Sequence, residues 1–480
     1  MVYHAATPLM ALRLVHAIHD FLPRHRAGSE IYAATLCMEL VRRGHHVTVM
    51  CAEYDPGRPH GHVAWRTHEG LPVAEVVNNW ACGSFDDAYA PPVVGTRLAQ
   101  LLDALEPDVL HIHSLLNLSL DLPRLARARG IPVAATLHDH SLVCPSGGQR
   151  LHQAEAHVCH DIDTARCARC FRQSPFHQQA AFARVAGAPR IAAPARSLIQ
   201  TLTVRLPALS RRVRAASMPA LSLAVDQTAI ERRLAAARRA WDDLDAIVAP
   251  SQALADAFRH LGFGDTRLAV ADYGFEPASA VPRVRPGTPL RIGFIGTLVW
   301  HKGVHVLVEA VRGLAGAELL LFGDPAVFPG YVADLRARAA RLPVRFMGAF
   351  DDAGRSGAFG EIDVLVVPSI WPENSPLVIH EAFMAGVPVV GSAIGGIPEL
   401  VRDGVSGLLV TPGSVAALHT ALASLVADPA LVARIARQLP KVRTIAEDAT
   451  EWEARYRALV SGCGNDGALP SRCEPGRTSD

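Results

Sequence analysis

Lysine is scarce in this chain. Of its 47 lysines and arginines, only Lys302 and Lys441 are lysine. A GC-rich genome accounts for the general bias, and the bias makes Lys302, in a strand-to-helix turn, worth following. An excess of either charge is also missing: 46 acidic residues leave a net charge of +1. That balance argues against broad nucleic-acid binding, so no nucleic-acid partner is expected. Aromatics are few, at 6%, yet half of the chain is hydrophobic, which is not a disordered composition. No apolar run of about 18 residues lacks breakers, so no membrane-spanning helix is expected. The uncharged run Ala382–Pro398, for example, is interrupted by glycines and prolines. Met1–Met10 lacks the basic start and long apolar core of a signal peptide. It reads as a leader, with Met10 an alternative start. The expected location is the cytoplasm.

The nine cysteines do not read as a disulfide framework. Cys37, Cys51 and Cys82 fall in or near core elements, and Cys463 and Cys473 in the tail. Cys144, Cys159, Cys167 and Cys170 form a group with the spacing C-x14-C-x7-C-x2-C. The final pair has knuckle spacing, and four thiolates suit a structural tetrahedral zinc. An iron–sulfur cluster or reduced thiols are the other readings. His152, His157 and His160 are substitute ligands. Asp161-Ile162-Asp163 has the D-x-D form of a metal–diphosphate site. It lies inside the cysteine insertion rather than at a strand end, and that role is rejected.

Along the chain, apolar strand patterns alternate with helix patterns. Strands are expected at Leu12–Ala17, Val47–Cys51, Val109–His113, Val133–Leu137 and Ile247–Ala249. Helices are expected at Ile31–Arg43 and Ser251–Leu261. This is the pattern of a doubly wound α/β domain over residues 11–275. The Pro-rich segment 276–289 reads as a linker. A second α/β domain follows over 290–440, then a helix over 441–460 and a disordered tail over 461–480. The Arg-rich segment 211–239 reads as a solvated helix face. The alternative is a basic face for acidic lipid or a lipid diphosphate.

The richest stretch runs from Ile362 to Thr411. Residues 362–367 are a buried strand, Ile370 to Ser375 a loop, and Ser375-Pro376 an N-cap with proline at the first helical position. The helix is expected to end at Gly386, before a strand over Val387–Val390 and a Gly-Gly turn at 395–396. Glu373 lies just ahead of the helix. Glu381 lies inside it, on an apolar stripe with Leu377 and Met384, where a charge needs partners. A helix N-terminus favours phosphate, and a carboxylate one turn inside can meet ribose hydroxyls.

Glu373-x7-Glu381, with Pro-Ser before it and AGVPVVGSAIGGIPELVRDGVSGLLV after it, resembles the C-terminal signature of retaining, glycogen-synthase-like group 1 glycosyltransferases. The resemblance covers most of residues 11–460, and a bacterial subgroup of the family carries a similar cysteine-rich insertion. It implies two Rossmann-like domains facing across a cleft, the B-type (GT-B) fold. It implies sugar transfer from a nucleoside diphosphate sugar to a hydroxyl acceptor with retention, in cell-surface polysaccharide or glycoconjugate synthesis. The acceptor would be a sugar, a lipid-linked sugar or a small alcohol, with peripheral contact at the inner membrane face. No catalytic cofactor is implied.

Residue by residue, the resemblance places Gly296, Thr297, Lys302, Ser375, Pro376, Leu377 and Glu381 at the donor. Glu373 and His138 would face the transferred sugar, and Gly28 would form an acceptor-side loop. His111 and His113 read as strand-end packing residues. The family pattern G-R-x-x-x-x-K-G is G-T-L-V-W-H-K-G here, so Thr297 stands where a cation is usual. A nucleotide-sugar epimerase on the same fold is the rival enzyme, and a non-catalytic sugar-nucleotide sensor the rival from another class.

Overall fold

A computed structural model describes residues 10–186, 223–277, 289–349 and 357–462. They divide into two compact units. The first holds the described residues up to Ala249, Ala255–Val270, and those from Thr450 on. The second holds Pro250–Leu254 and Ala271–Ala449. The second unit therefore begins before the proline-rich segment, of which residues 278–288 lie outside the described residues. So do the leader up to residue 9 and the tail from residue 463.

The first unit is built on an eight-stranded sheet. Its strands are β1 (Arg13–Ile18), β2 (His46–Glu53), β3 (Val63–His68), β4 (Leu71–Val77), β5 (Val109–Ile112) and β6 (Val133–Thr136), then β9 (Ala246–Ala249) and β10 (Leu268–Val270). The order is β10-β9-β6-β5-β1-β2-β4-β3, and every pairing is parallel except that of β3 with β4. Strands buried on both faces read as continuous apolar runs, which is why β1, β5 and β6 were legible. The β3–β4 hairpin was not foreseen. Its strand β3 is half-exposed and mixes polar with apolar residues, and its turn is Glu69-Gly70, both at positive φ. A small hairpin, β7 (Leu151–His152) and β8 (His157–Val158), carries the cysteine segment.

The last helix, Ile445–Val460, begins later than expected. From Thr450 it packs within the first unit. Trp452 Nε1 donates to the Tyr32 hydroxyl at 3.2 Å, and Glu453 bridges Arg43 at 2.7 Å and His45 at 2.8 Å.

The second unit has six parallel strands: β11 (Leu290–Ile295), β12 (Ala317–Phe322), β13 (Val344–Gly348), β14 (Val364–Val367), β15 (Val389–Ser392) and β16 (Gly407–Val410). Their order is β13-β12-β11-β14-β15-β16. Alternate side chains feed two cores. Ile292, Phe294, Leu319, Leu321, Val364 and Val366 pack with the helices over Val304–Ala310 and Val415–Ala427. Ile295, Leu320, Phe322, Leu365 and Val367 pack with Ile379 and Phe383 of the helix Leu377–Met384. The period of two along each strand thus places helices on both faces. The order reverses between β11 and β14, and ligands of open α/β sheets bind at such a switch point, beyond the carboxyl ends of the strands.

Two expectations need correction here. Ser375 does not cap the helix. Pro376 is the N-cap residue, with extended backbone (φ −66°, ψ 112°), and the helix starts at Leu377. The Ser375 hydroxyl is instead drawn to Asp272, at 2.7 Å. Arg233, within the segment read as a solvated face, is buried, because its guanidinium satisfies the carbonyls of Ser141 and Leu142. Residues 211–222 of that segment lie outside the described residues.

Candidate functional site

In the second unit the turn after β11 runs Gly296, Thr297, Leu298, Val299, and a single 3-10 turn over Trp300–Lys302 delivers the lysine. Thr297 is exposed at the tip. Gly303, at φ +70°, then starts the next helix, and a Cβ there would lie 1.9 Å from the Pro368 carbonyl oxygen. Glycine is therefore required for the loop after β11 to lie against the loop after β14.

The close approach brings the two sequence-predicted charges together across the switch point. Lys302 Nζ lies 2.6 Å from Glu373 Oε1. The same carboxylate oxygen accepts from the Ser369 hydroxyl, also at 2.6 Å. Glu373 is 6% exposed. The resemblance gave the two residues separate partners, the diphosphate and the sugar; the structure pairs them with each other. An ammonium has three N–H donors, so Lys302 can keep Glu373 and still donate to a phosphate.

The Gly395-Gly396 turn after β15 supports this loop. A Cβ on Gly395 would fall 2.3 Å from the Glu373 carbonyl oxygen, and one on Gly396 1.7 Å from that of Asn374. Gly396 N donates to the Glu373 carbonyl at 2.7 Å. Glycine pairs mark turns in sequence, but this one also admits a neighbouring backbone.

Glu381 lies on a half-buried stripe of the helix with Leu377 and Met384, while Ile379, His380, Ala382 and Phe383 form the buried face. The stripe taken as apolar core is thus the face nearer solvent, because the sheet takes the neighbouring face. Gly296, half-buried, and Pro376 and Leu377, at the helix start, share this end of the sheet.

His380 was not foreseen. Its Nε2 is 3.0 Å from the Ser375 hydroxyl and 3.4 Å from Asp272, and its ring stacks on Phe275 with centroids 4.6 Å apart. The serine proton goes to the Asp272 carboxylate, so His380 is the donor to the hydroxyl through Nε2–H. The trio has the composition of a hydrolase triad but not its wiring, in which histidine takes the serine proton. Here it fixes the residue before the helix. Burial holds His380 below the ordinary imidazole range.

In the first unit, His138 follows β6 and belongs to a chain of imidazoles. His138 Nε2 is 3.0 Å from His113 Nδ1, and His113 Nε2 is 3.0 Å from His16 Nδ1. His111 is bonded at both nitrogens, to the Tyr456 hydroxyl at 2.6 Å and to Thr136 at 2.8 Å. His113 is therefore more than strand-end packing: it orients His138. Burial pushes His16 down to about 3, and His111 and His113 well below the ordinary value, so these rings are neutral. Ligand atoms of His16, His111 and His113 lie within 4.8 Å of one another. The hydrogen bonds occupy both nitrogens of His111 and of His113, so the group reads as a polar core and not as a metal centre.

Gly28 is the exposed first residue of the helix Gly28–Arg42. That start is held by Glu30, which accepts from Ala27 N at 2.9 Å and faces His19 at 3.1 Å. Cys144, Cys159, Cys167 and Cys170 are half-buried free thiols. Asp161 and Asp163 are occupied locally, Asp161 with His260 at 2.6 Å and Asp163 as cap of the helix Thr164–Gln173.

Two family profiles match the chain. One, described as Glycosyl transferases group 1, covers residues 289–428. The other, Glycosyltransferase Family 4, covers residues 26–208. The chain carries both glycosyltransferase domains. The group 1 domain holds the Lys302–Glu373 pair, and the family 4 domain holds Gly28, His138 and the cysteines. Phosphatidyl-myo-inositol mannosyltransferase of Mycobacterium leprae is 37% identical over 137 residues, 27% of this chain and 35% of that protein. The chain spans about a third to a half of the length of the first curated relatives it matches.

Among solved structures, sucrose-phosphate synthase of Thermosynechococcus elongatus superposes with a TM-score of 0.62 at 17% identity, covering 94% of this chain and 99% of that one. Anabaena Alr3699/HepE in complex with UDP and glucose gives 0.55 at 17% identity, covering 94% and 98%. These likenesses show the fold: two Rossmann-like α/β domains of the B-type glycosyltransferase architecture.

Proposed function

We propose that the chain transfers a sugar from a nucleoside diphosphate sugar to a hydroxyl acceptor, with retention at the anomeric carbon. The observation that carries this reading is the Lys302–Glu373 pair at the switch point, beside the start of the helix Leu377–Met384. A leaving diphosphate gathers negative charge. Free N–H groups at the helix start and the Lys302 ammonium are fixed donors for that charge. Thr297 leaves this corner with one cation fewer than the family pattern, which puts more of the load on Lys302. Glu381, one turn inside the helix, takes the ribose. Glu373 faces the sugar and holds the ammonium in place. The HepE complex with UDP and glucose supports a donor of this class. The acceptor is a sugar, a lipid-linked sugar or a small alcohol, in polysaccharide or glycoconjugate synthesis.

The test has two arms. UDP-, GDP- and ADP-sugars are screened by thermal shift, and the binding nucleoside diphosphate is titrated into variants. Glu381→Gln should weaken it about ten- to a hundredfold, the worth of a charged hydrogen bond. Glu373→Gln should leave it within about threefold and lower kcat. NMR of the first-formed product then reads the linkage. An α-linked donor should give an α-linked product, and an inverted linkage overturns the retaining assignment.

A further inference from the structure

A separate cluster of cysteines lies in the first unit. After β6 the chain turns through Cys144, forms the β7–β8 hairpin, passes Cys159 and enters the helix Thr164–Gln173, which carries Cys167 and Cys170. Three residues apart on a helix, these last two share a face. The Cys170 thiol faces the Leu151 carbonyl of β7 at 3.9 Å. The sulfurs are not drawn to mutual ligand distance, since no three of them lie within 4.8 Å of one another. Two of the three histidines of the segment are engaged with other side chains. His152 Nε2 is 2.8 Å from Gln173, and His157 Nε2 accepts from Arg166 at 2.8 Å.

Two arginines close on the cysteines. Arg150 is 8% exposed and Arg233 5%. Arg150 Nε donates to the Cys159 carbonyl at 2.8 Å, while its Nη2 is buried with no hydrogen-bond partner. The backbone pairs the same two residues again, Cys159 N donating to the Arg150 carbonyl at 2.8 Å. Arg233 donates to the Ser141 and Leu142 carbonyls, at 2.7 and 2.9 Å. Arg233 is thereby held on the turn that leads into Cys144, whose N donates to the His140 carbonyl at 2.7 Å. Guanidinium stays protonated, and a buried charge needs a counter-charge. Neutral thiols supply none. The hairpin strands are only two residues long, too short to hold the segment in place by themselves.

We propose that Cys144, Cys159, Cys167 and Cys170 bind one divalent metal ion, zinc, in a closed tetrathiolate site whose charge Arg150 and Arg233 balance. One Zn²⁺ displaces four thiol protons and forms four Zn–S bonds, leaving a centre of charge −2. Two guanidiniums bring the local sum to zero. A ferric ion in the same thiolates would give −1 and leave one arginine uncompensated. The metal ties the segment from Cys144 to Cys170 to the sheet edge and has no part in sugar transfer.

The full chain, purified without a metal-binding tag, is tested by elemental analysis. About one zinc per chain is expected. Cobalt(II) exchanged into the wild-type protein should show the visible bands of a tetrahedral thiolate site. Arg150→Met/Arg233→Met should lose zinc to a competing chelator with about ten- to a hundredfold weaker retention, the usual effect of removing outer partners of a metal site. Cys37→Ser should retain zinc like the wild type. Absence of both zinc and cobalt–thiolate bands overturns the site, whatever the variants do. Zinc retained by the double arginine variant as in wild type overturns the charge-balance argument.

Discussion

Lys302→Met removes one partner of an ion pair whose other member is almost wholly buried. Lys302 Nζ and Glu373 Oε1 are 2.6 Å apart, with side chains 30% and 7% exposed. At an effective dielectric of about 20 the gross attraction at that distance is about 6 kcal/mol. Desolvation cancels much of this, and breaking a buried pair costs about 3–5 kcal/mol because the remaining charge is left unpaired. Lys302 is near a third exposed, so water recovers part of the loss, and the expected cost is about 2–3 kcal/mol. The Ser369 hydroxyl stays as a donor to Glu373. Adding Glu373→Gln removes the stranded charge, so the double variant should be about 1–2 kcal/mol more stable than Lys302→Met alone. Hydrogen exchange read by mass spectrometry on peptides covering residues 364–384, together with urea unfolding of all four proteins of the cycle, measures this. A double variant no more stable than Lys302→Met, or a coupling below about 0.5 kcal/mol, would refute the reasoning.

Two further outcomes follow from the geometry. Gly303→Ala places a Cβ 1.9 Å from the Pro368 carbonyl at a φ of +70°. It should cost about 2–4 kcal/mol and lower Tm by several degrees; a Tm within about a degree of wild type would mean that the two loops part freely. The buried histidines make the first unit acid-labile. His16 is held near 3 and His111 and His113 well below 6.5, so the unfolded chain binds more protons as pH falls below 6.5. Stability present above 6.5 is lost as pH falls toward 3, at about 1.4 kcal/mol per histidine per pH unit. Potentiometry at pH 5 should record uptake of two or more protons on unfolding, and an uptake near zero would contradict burial in the neutral form.

The sequence alone was enough for the α/β alternation and for picking out Lys302 and Glu373, which the proposed donor site brings together. Buried parallel strands are written as unbroken apolar runs, Lys302 and Glu373 stand in the loops after strands that such runs define, and Glu381 lies in the helix that follows. The sequence also contained the four-cysteine spacing on which the proposed metal site rests, because that spacing falls within a short stretch of chain. It could not show that Lys302 and Glu373 pair with each other, since their loops meet only because β11 and β14 are neighbours and Gly303 admits the Pro368 carbonyl. The same holds for His113 beside His138 and for Arg150 and Arg233 beside the cysteines. Those partners are distant or unpatterned along the chain, and no periodicity marks a side chain whose burial depends on another element. The β3–β4 hairpin was missed for the opposite reason, because half-exposed strands carry little apolar signal. Strand and helix patterns are local and can be read residue by residue. Charge compensation and hydrogen-bond wiring depend on distance in space, and only the tertiary structure decided them.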